Sequence, residues 1–228
     1  MQDSIMFWYS YCVVKPCRNP DLICEFIHHP SFILYPLGQN KYETLAYEKQ
    51  KNRLIFSYGV QEYIIFSIIR NEILRLMGNH GFVLHCSAVE YKREVYIFLA
   101  PSGGGKSTIA SLLHSKEIRK YSDDSCIIRK QREGFRVYQA PIEEKNRILP
   151  RKYGFPIKGI YFIKKSKKNR IQLIDGLGEC QKFIKQIWVL YEKSIPLREL
   201  YIPFINKNTW YSCEFTKGKK IKEEFMNR

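Results

Sequence analysis

The chain has no apolar run long enough to cross a bilayer. Its most apolar stretch, Tyr63 to Met77, is broken by Arg70, Asn71, Glu72 and Arg75, whereas a helical span needs about 20 predominantly apolar residues. A core helix is expected there, and a membrane partner is not. The start, Met1-Gln2-Asp3, lacks the basic residues and small-residue cleavage site of a secretory signal. Metal-knuckle spacing is missing too: Cys12, Cys17 and Cys24 form no C-x-x-C pair, and Cys86, Cys126, Cys180 and Cys213 are scattered among apolar residues. Seven cysteines, an odd count, fit buried thiols in a reducing compartment, so a cytoplasmic location is expected. Internal repeats and low-complexity linkers are also lacking.

Negative charge is scarce. Against 38 Lys and Arg stand 22 Asp and Glu, giving a formal charge of +16 over 228 residues. Such a balance favours anionic partners. Lysines gather at Lys164, Lys165, Lys167 and Lys168, and again at Lys217, Lys219, Lys220 and Lys222. Neither cluster is interleaved with aromatic residues as a nucleic-acid platform would be, so nucleic acid is disfavoured and solvated loops are the plainer reading. The length suits one domain with a small appendage.

What the chain does contain is Ala100-Pro101-Ser102-Gly103-Gly104-Gly105-Lys106-Ser107-Thr108. Phosphates need a ring of backbone N–H donors with little side-chain bulk, and successive glycines permit that close wrapping. A lysine after the glycines reaches the outer phosphates from a solvent-facing position, and the next hydroxyl can sit on Mg²⁺. Ala100 replaces the first glycine of the P-loop pattern. Val95 to Leu99 ahead of it reads as a buried strand, and Ile109, Ala110, Leu112 and Leu113 behind it form an apolar helical stripe. Strand, Gly-rich turn and helix, in that order, are the context the motif requires. The implied cofactors are ATP, or another nucleoside triphosphate, and Mg²⁺. Ser102, Gly103, Gly104, Gly105, Lys106, Ser107 and Thr108 are the candidate cofactor-binding residues.

Residues 1–58 are expected to form a small β-rich subdomain, with strands near Ile5 to Val14, Leu22 to Ile27, Ser31 to Tyr35 and Leu54 to Tyr58. His28 and His29 are adjacent and would face opposite sides of a strand, which argues against a joint metal site. Residues 59–228 are expected to form the main domain. It opens with a helix from Gln61 to Met77 ended by Gly78-Asn79. Phe82 to Val89 is a strand joined to the Val95 strand by a turn at Tyr91 to Glu94. Asp123-Asp124 follows the loop helix and precedes a strand at Cys126 to Ile128. Two adjacent carboxylates between strands read either as an Asp-rich turn or as a metal site neutralised by nucleotide-held Mg²⁺. Strands are expected at Phe135 to Gln139, Gly159 to Lys164, Arg170 to Leu173 and Leu200 to Pro203. A helix is expected from Gly178 to Tyr191, a short helix or loop from Asn208 to Phe215, and a mobile Lys-rich tail.

The series His85 in a strand, turn, strand, P-loop, helix and then Asp123-Asp124 resembles the HPr kinase/phosphorylase family. The likeness is greatest to its shorter relatives beside genes for modified peptides such as lasso peptides. It is carried by residues from about Gly81 to Ile128. The resemblance implies an α/β fold with a P-loop core similar to the nucleotide domain of phosphoenolpyruvate carboxykinases. It also implies an ATP- and Mg²⁺-dependent serine kinase whose partner is a peptide or small protein; an oligomer is compatible with it. Gly103, Gly104, Gly105 and Lys106 would hold phosphates, with Lys106 also acting in catalysis. Ser107 and one of Asp123 or Asp124 would bind Mg²⁺. The other Asp would take the proton of the attacking hydroxyl, with His85 beside it. By its residues alone, without the resemblance, His85 reads as a core histidine bonded to a backbone carbonyl. The Gly- and Arg-containing loop that supports the reverse reaction in the full-length family has no match, although Arg147 and Arg151 stand in that region. A P-loop ATPase, a small-molecule kinase and a nucleotide-binding regulator are the competing classes.

Overall fold

The computed structural model describes residues 23–27, 34–36, 42–44, 47–50, 53–57, 62–140, 148, 153–188, 197–217 and 221–226. The expected strand at Ile5 to Val14, the pair His28 and His29, and Arg147 and Arg151 lie outside them. The chain divides into two compact units, Met1–Leu76 and Met77–Arg228.

The first unit holds a three-stranded sheet of β1 (Ile23–Ile27), β4 (Tyr47–Gln50) and β5 (Arg53–Ser57), with β5 central. A separate pair joins β2 (Leu34–Pro36) to β3 (Tyr42–Thr44). Helix α1 (Glu62–Met77) follows and stops at Gly78, as its sequence suggests.

The second unit is mixed α/β, built on one large, mostly antiparallel sheet. Its strands are β6 (Gly81–His85), β7 (Ser87–Tyr91), β8 (Glu94–Leu99), β9 (Arg119–Ser122), β10 (Ser125–Gln131), β11 (Gly134–Gln139), β12 (Phe155–Lys165), β13 (Arg170–Ile174), β14 (Ile187–Trp188) and β15 (Trp210–Phe215). The order runs β14-β6-β10-β11-β12-β8-β7-β9, with β15 paired to both β12 and β13. Only β12 with β8 and β12 with β15 are parallel within this sheet. The helices are α2 (Lys106–Leu113), α3 (Cys180–Ile184), α4 (Ile202–Lys207) and α5 (Ile221–Met226).

Alternation along β8 builds two cores. Val95, Ile97 and Leu99 enter one with Phe82, Phe183 and Phe204. Tyr96, Phe98 and Ala100 enter the other with Ile109, Ala110, Leu113, Ile221 and Phe225. Successive side chains of a strand point to opposite faces, so α2 and α5 cover one face of β8 while α3 and α4 cover the other.

Five expectations are corrected. The strand read through Phe82 to Val89 breaks at Cys86 into β6 and β7, which pair with different neighbours. The helix expected from Gly178 to Tyr191 ends at Ile184, because Ile187 and Trp188 pair with Leu84 and Val83 of β6. Leu200 to Pro203 is helical, not a strand. Pro203 stands in the first turn of α4, where no N–H is needed by the helix ladder. Trp210 to Phe215 is a strand, not a helix or loop, held between β12 and β13. The expected mobile tail also contains α5, whose Ile221 and Phe225 are buried.

Candidate functional site

Two crossovers, β6 to β7 at Cys86 and β9 to β10 at Asp123-Asp124, bring the candidate residues together at one edge formed by strand ends. β7 runs antiparallel to β8 with Ser87 opposite Phe98, so β7 starts beside the point where β8 enters the glycine loop. β9 runs antiparallel to β7 with Ala88 opposite Ser122, so Asp123 and Asp124 follow at that edge. β10 runs antiparallel to β6 with Ser125 opposite His85. His85, Ser87, Asp123, Asp124 and the loop thus come together from five strands.

The loop is tightly fixed. Lys106 is buried, not solvent-facing as expected, and its Nζ donates to the Ala100 carbonyl at 2.8 Å and to Pro101 at 3.4 Å. The Gly104 N–H donates to the Pro101 carbonyl at 3.0 Å. A Cβ on Gly104 would lie 2.6 Å from Ala100 Cβ, so no side chain fits where the loop closes on itself. Gly105 precedes α2 with φ +104°, in the left-handed region that side chains resist. Here Ala100 fills the first glycine position from the end of a buried strand.

The first helical bond of α2 runs from the Ile109 N–H to the Gly105 carbonyl at 3.0 Å. The amides of Lys106, Ser107 and Thr108 therefore precede the helix ladder. Together with the N-terminal end of the helix dipole, they favour an anion at this position. Ser107 and Thr108 are half-buried, and Ser102 and Gly103 are exposed at the loop tip.

Across the edge, Asp123 and Asp124 are both buried. His85 Nε2 lies 3.6 Å from Asp124 Oδ1. The His85 backbone N–H donates to the Gln186 carbonyl at 2.7 Å, and that of Cys86 donates to the Asp124 carbonyl at 3.0 Å. These bonds fix both the histidine strand and the Asp turn. The Ser87 hydroxyl donates to the Asp123 carbonyl at 2.9 Å and to Asp123 Oδ1 at 3.3 Å. The Ser122 hydroxyl donates to the Ser125 carbonyl at 2.6 Å and closes the turn. The two carboxylates are therefore held differently, Asp124 beside an imidazole and Asp123 by a hydroxyl.

Among the described residues, no group of three or more His, Cys, Asp or Glu gathers as a metal cage. Mg²⁺ keeps most of its shell from water and substrate phosphates and takes one or two protein oxygens. The Ser107 hydroxyl, half-buried, and the buried Asp pair carry oxygens of the kind that ion takes.

Three contributors escaped the sequence reading. Ser87 stands two positions past His85 across the break at Cys86, a hint only once that break is known. Trp188 has its ring centroid 6.1 Å from that of His85, delivered by the two-residue strand β14. Lys165 donates to the Gly103 carbonyl at 2.9 Å from the end of β12, with no sequence signal beyond its lysine cluster.

No protein-family model and no curated protein matches the chain. Among the described residues, no helix is long and apolar enough to cross a membrane.

Proposed function

We propose that the chain is a Mg-ATP-dependent kinase of HPr-kinase-like type, acting on a serine hydroxyl of a peptide or small protein. The observation that carries this reading is the shared sheet edge. A Gly-Lys-Ser loop opening a helix stands beside a buried Asp pair with a histidine on Asp124. A loop alone would support nucleotide binding only; a base beside it adds a route for the acceptor's proton.

The loop amides hold the phosphates, and Lys106 reaches them by exchanging its bonds to the Ala100 and Pro101 carbonyls, which offsets charge on the transferring group. Ser107 and Asp123 would hold Mg²⁺, which when bound neutralises charge on the nucleotide phosphates. Asp124 orients the serine hydroxyl and takes its proton, and His85 holds that carboxylate in place. The serine oxygen forms a bond to the γ-phosphorus while the bond to the leaving nucleoside diphosphate breaks. Transfer in the forward direction is the expected reaction, because the loop linked to phosphorolysis has no recognisable counterpart.

The test incubates the protein and Lys106→Ala with Mg-ATP and serine-containing peptides, with HPr, with free serine and without acceptor. Mass spectrometry is expected to show added phosphate on a peptide serine with the wild type and none with the variant. Phosphate release at equal rate without acceptor would replace this reading by an ATPase. Nucleotide binding without turnover would replace it by a regulator.

A further inference from the structure

Lys165 stands at the end of β12, the strand parallel to β8 on the side away from β7. Phe162 is opposite Leu99, so Lys165 runs past the end of β8 to the glycine loop. There its Nζ donates to the Gly103 carbonyl at 2.9 Å. Although Lys165 is exposed, its stem passes close to the loop: a Cβ on Gly105 would lie 3.1 Å from Lys165 Cε and 2.9 Å from Phe215 Cζ. The glycine at 105 thus leaves room for this lysine as well as for the turn.

The carbonyl and the amide of a peptide unit point in opposite directions. In the unit joining Gly103 to Gly104, the carbonyl is held by Lys165 and the amide by the Pro101 carbonyl. Lys106 holds the Ala100 and Pro101 carbonyls. An anion is repelled by carbonyl oxygens and attracted by amides, so a phosphate-binding loop works best when its carbonyls are already engaged elsewhere. Lys106 engages two of them from within the loop, and Lys165 engages a third from another strand.

We propose that Lys165 is a positioning residue for phosphate binding, holding the Gly103 carbonyl so that the loop is preset for the phosphates of a nucleotide. This rests on the P-loop reading. Because Lys165 acts through the loop, its loss should weaken nucleoside diphosphate and triphosphate alike.

The experiment compares wild type, Lys165→Met and Lys165→Arg. Hydrogen exchange of the loop amides is read in nucleotide-free protein, and calorimetry reads Mg-ATP and Mg-ADP binding. Thermal melts check that each variant is folded. Lys165→Met is expected to speed exchange across the loop and to weaken both nucleotides by about tenfold, the size set by one charged hydrogen bond. Lys165→Arg is expected to restore most of both. Unchanged loop exchange and unchanged affinity would overturn the proposal. A loss confined to Mg-ATP would also overturn it, making Lys165 a direct ligand of the third phosphate. If the wild type binds neither nucleotide, the P-loop reading itself fails. If it binds both and Lys165→Met binds them equally well, only the role of Lys165 fails.

Discussion

Asp124 and Asp123 are neighbours in sequence with different surroundings. Asp124 faces His85 at 3.6 Å, and Asp123 accepts from Ser87. Asp124→Asn is expected to lower phosphoryl transfer by about 10²- to 10⁴-fold, the range for loss of a general base, while Mg-ATP affinity stays within a few-fold. Asp123→Asn is expected to lose activity that added Mg²⁺ partly restores. Steady-state kinetics across Mg²⁺ concentration separates the two, and an Asp124→Asn variant of near-normal rate would sink the proposed assignment. At Gly105, φ is +104° and a Cβ would meet Phe215. Gly105→Ala is expected to cost about 1–3 kcal/mol for a strained backbone and to weaken nucleotide binding; urea unfolding and calorimetry check it.

At the scale of elements, α5 shows what the lysine-rich C-terminal stretch contributes. Phe225 is buried, with its ring centroid 5.1 Å from Tyr96, 5.6 Å from Phe98 and 4.8 Å from Tyr161. The α5 helix therefore shares a core with α2, which carries Lys106, and with the strand that enters the loop. Phe225→Ala is expected to cost about 3–5 kcal/mol, the range for an aromatic residue cut to alanine in a core. Urea unfolding measures it. A loss below about 1 kcal/mol would mean that α5 stabilises the core little. The short α3 and α4 have the same role on the other face, where Phe82 meets Phe183, Tyr201 and Phe204 edge-on at 5.9, 5.2 and 5.1 Å.

For the whole molecule, a ligand that binds only the folded state stabilises it by mass action. Mg-ATP at about 100 times its dissociation constant is expected to add about 2.7 kcal/mol. For a domain of this size that raises Tm by roughly 5–10 °C. Lys106→Ala is expected to show a much smaller shift, and a scanning melt with and without Mg-ATP reads both. An equal shift in the two proteins would place the nucleotide away from the loop.

The strand–loop–helix unit was legible because its determinants are local. Alternating apolar residues make β8, glycines permit the loop's backbone, and Ile109, Ala110 and Leu113 bury one face of α2. The hairpin before it was legible for the same reason: Lys92 and Arg93, both at positive φ, form a two-residue turn between strands that pair in register. The β15 strand was not legible, since Trp210 to Phe215 becomes a strand through neighbours 36 to 50 positions away. Nor was Leu200 to Pro203, whose apolar run suits a strand until Tyr201 and Phe204 find a core against Phe82. The residues of the acid pair could be named from sequence, but their difference could not. The break at Cys86, with the pairing of β9 with β7 and of β10 with β6, puts Ser87 on Asp123 and His85 beside Asp124. Lys165 shows the limit most sharply, because a lysine cluster carries no periodicity that tells which of its exposed side chains donates to a loop carbonyl 62 positions away. Backbone conformation and burial period are properties of neighbouring residues, whereas the partners of a polar side chain depend on which strands pair.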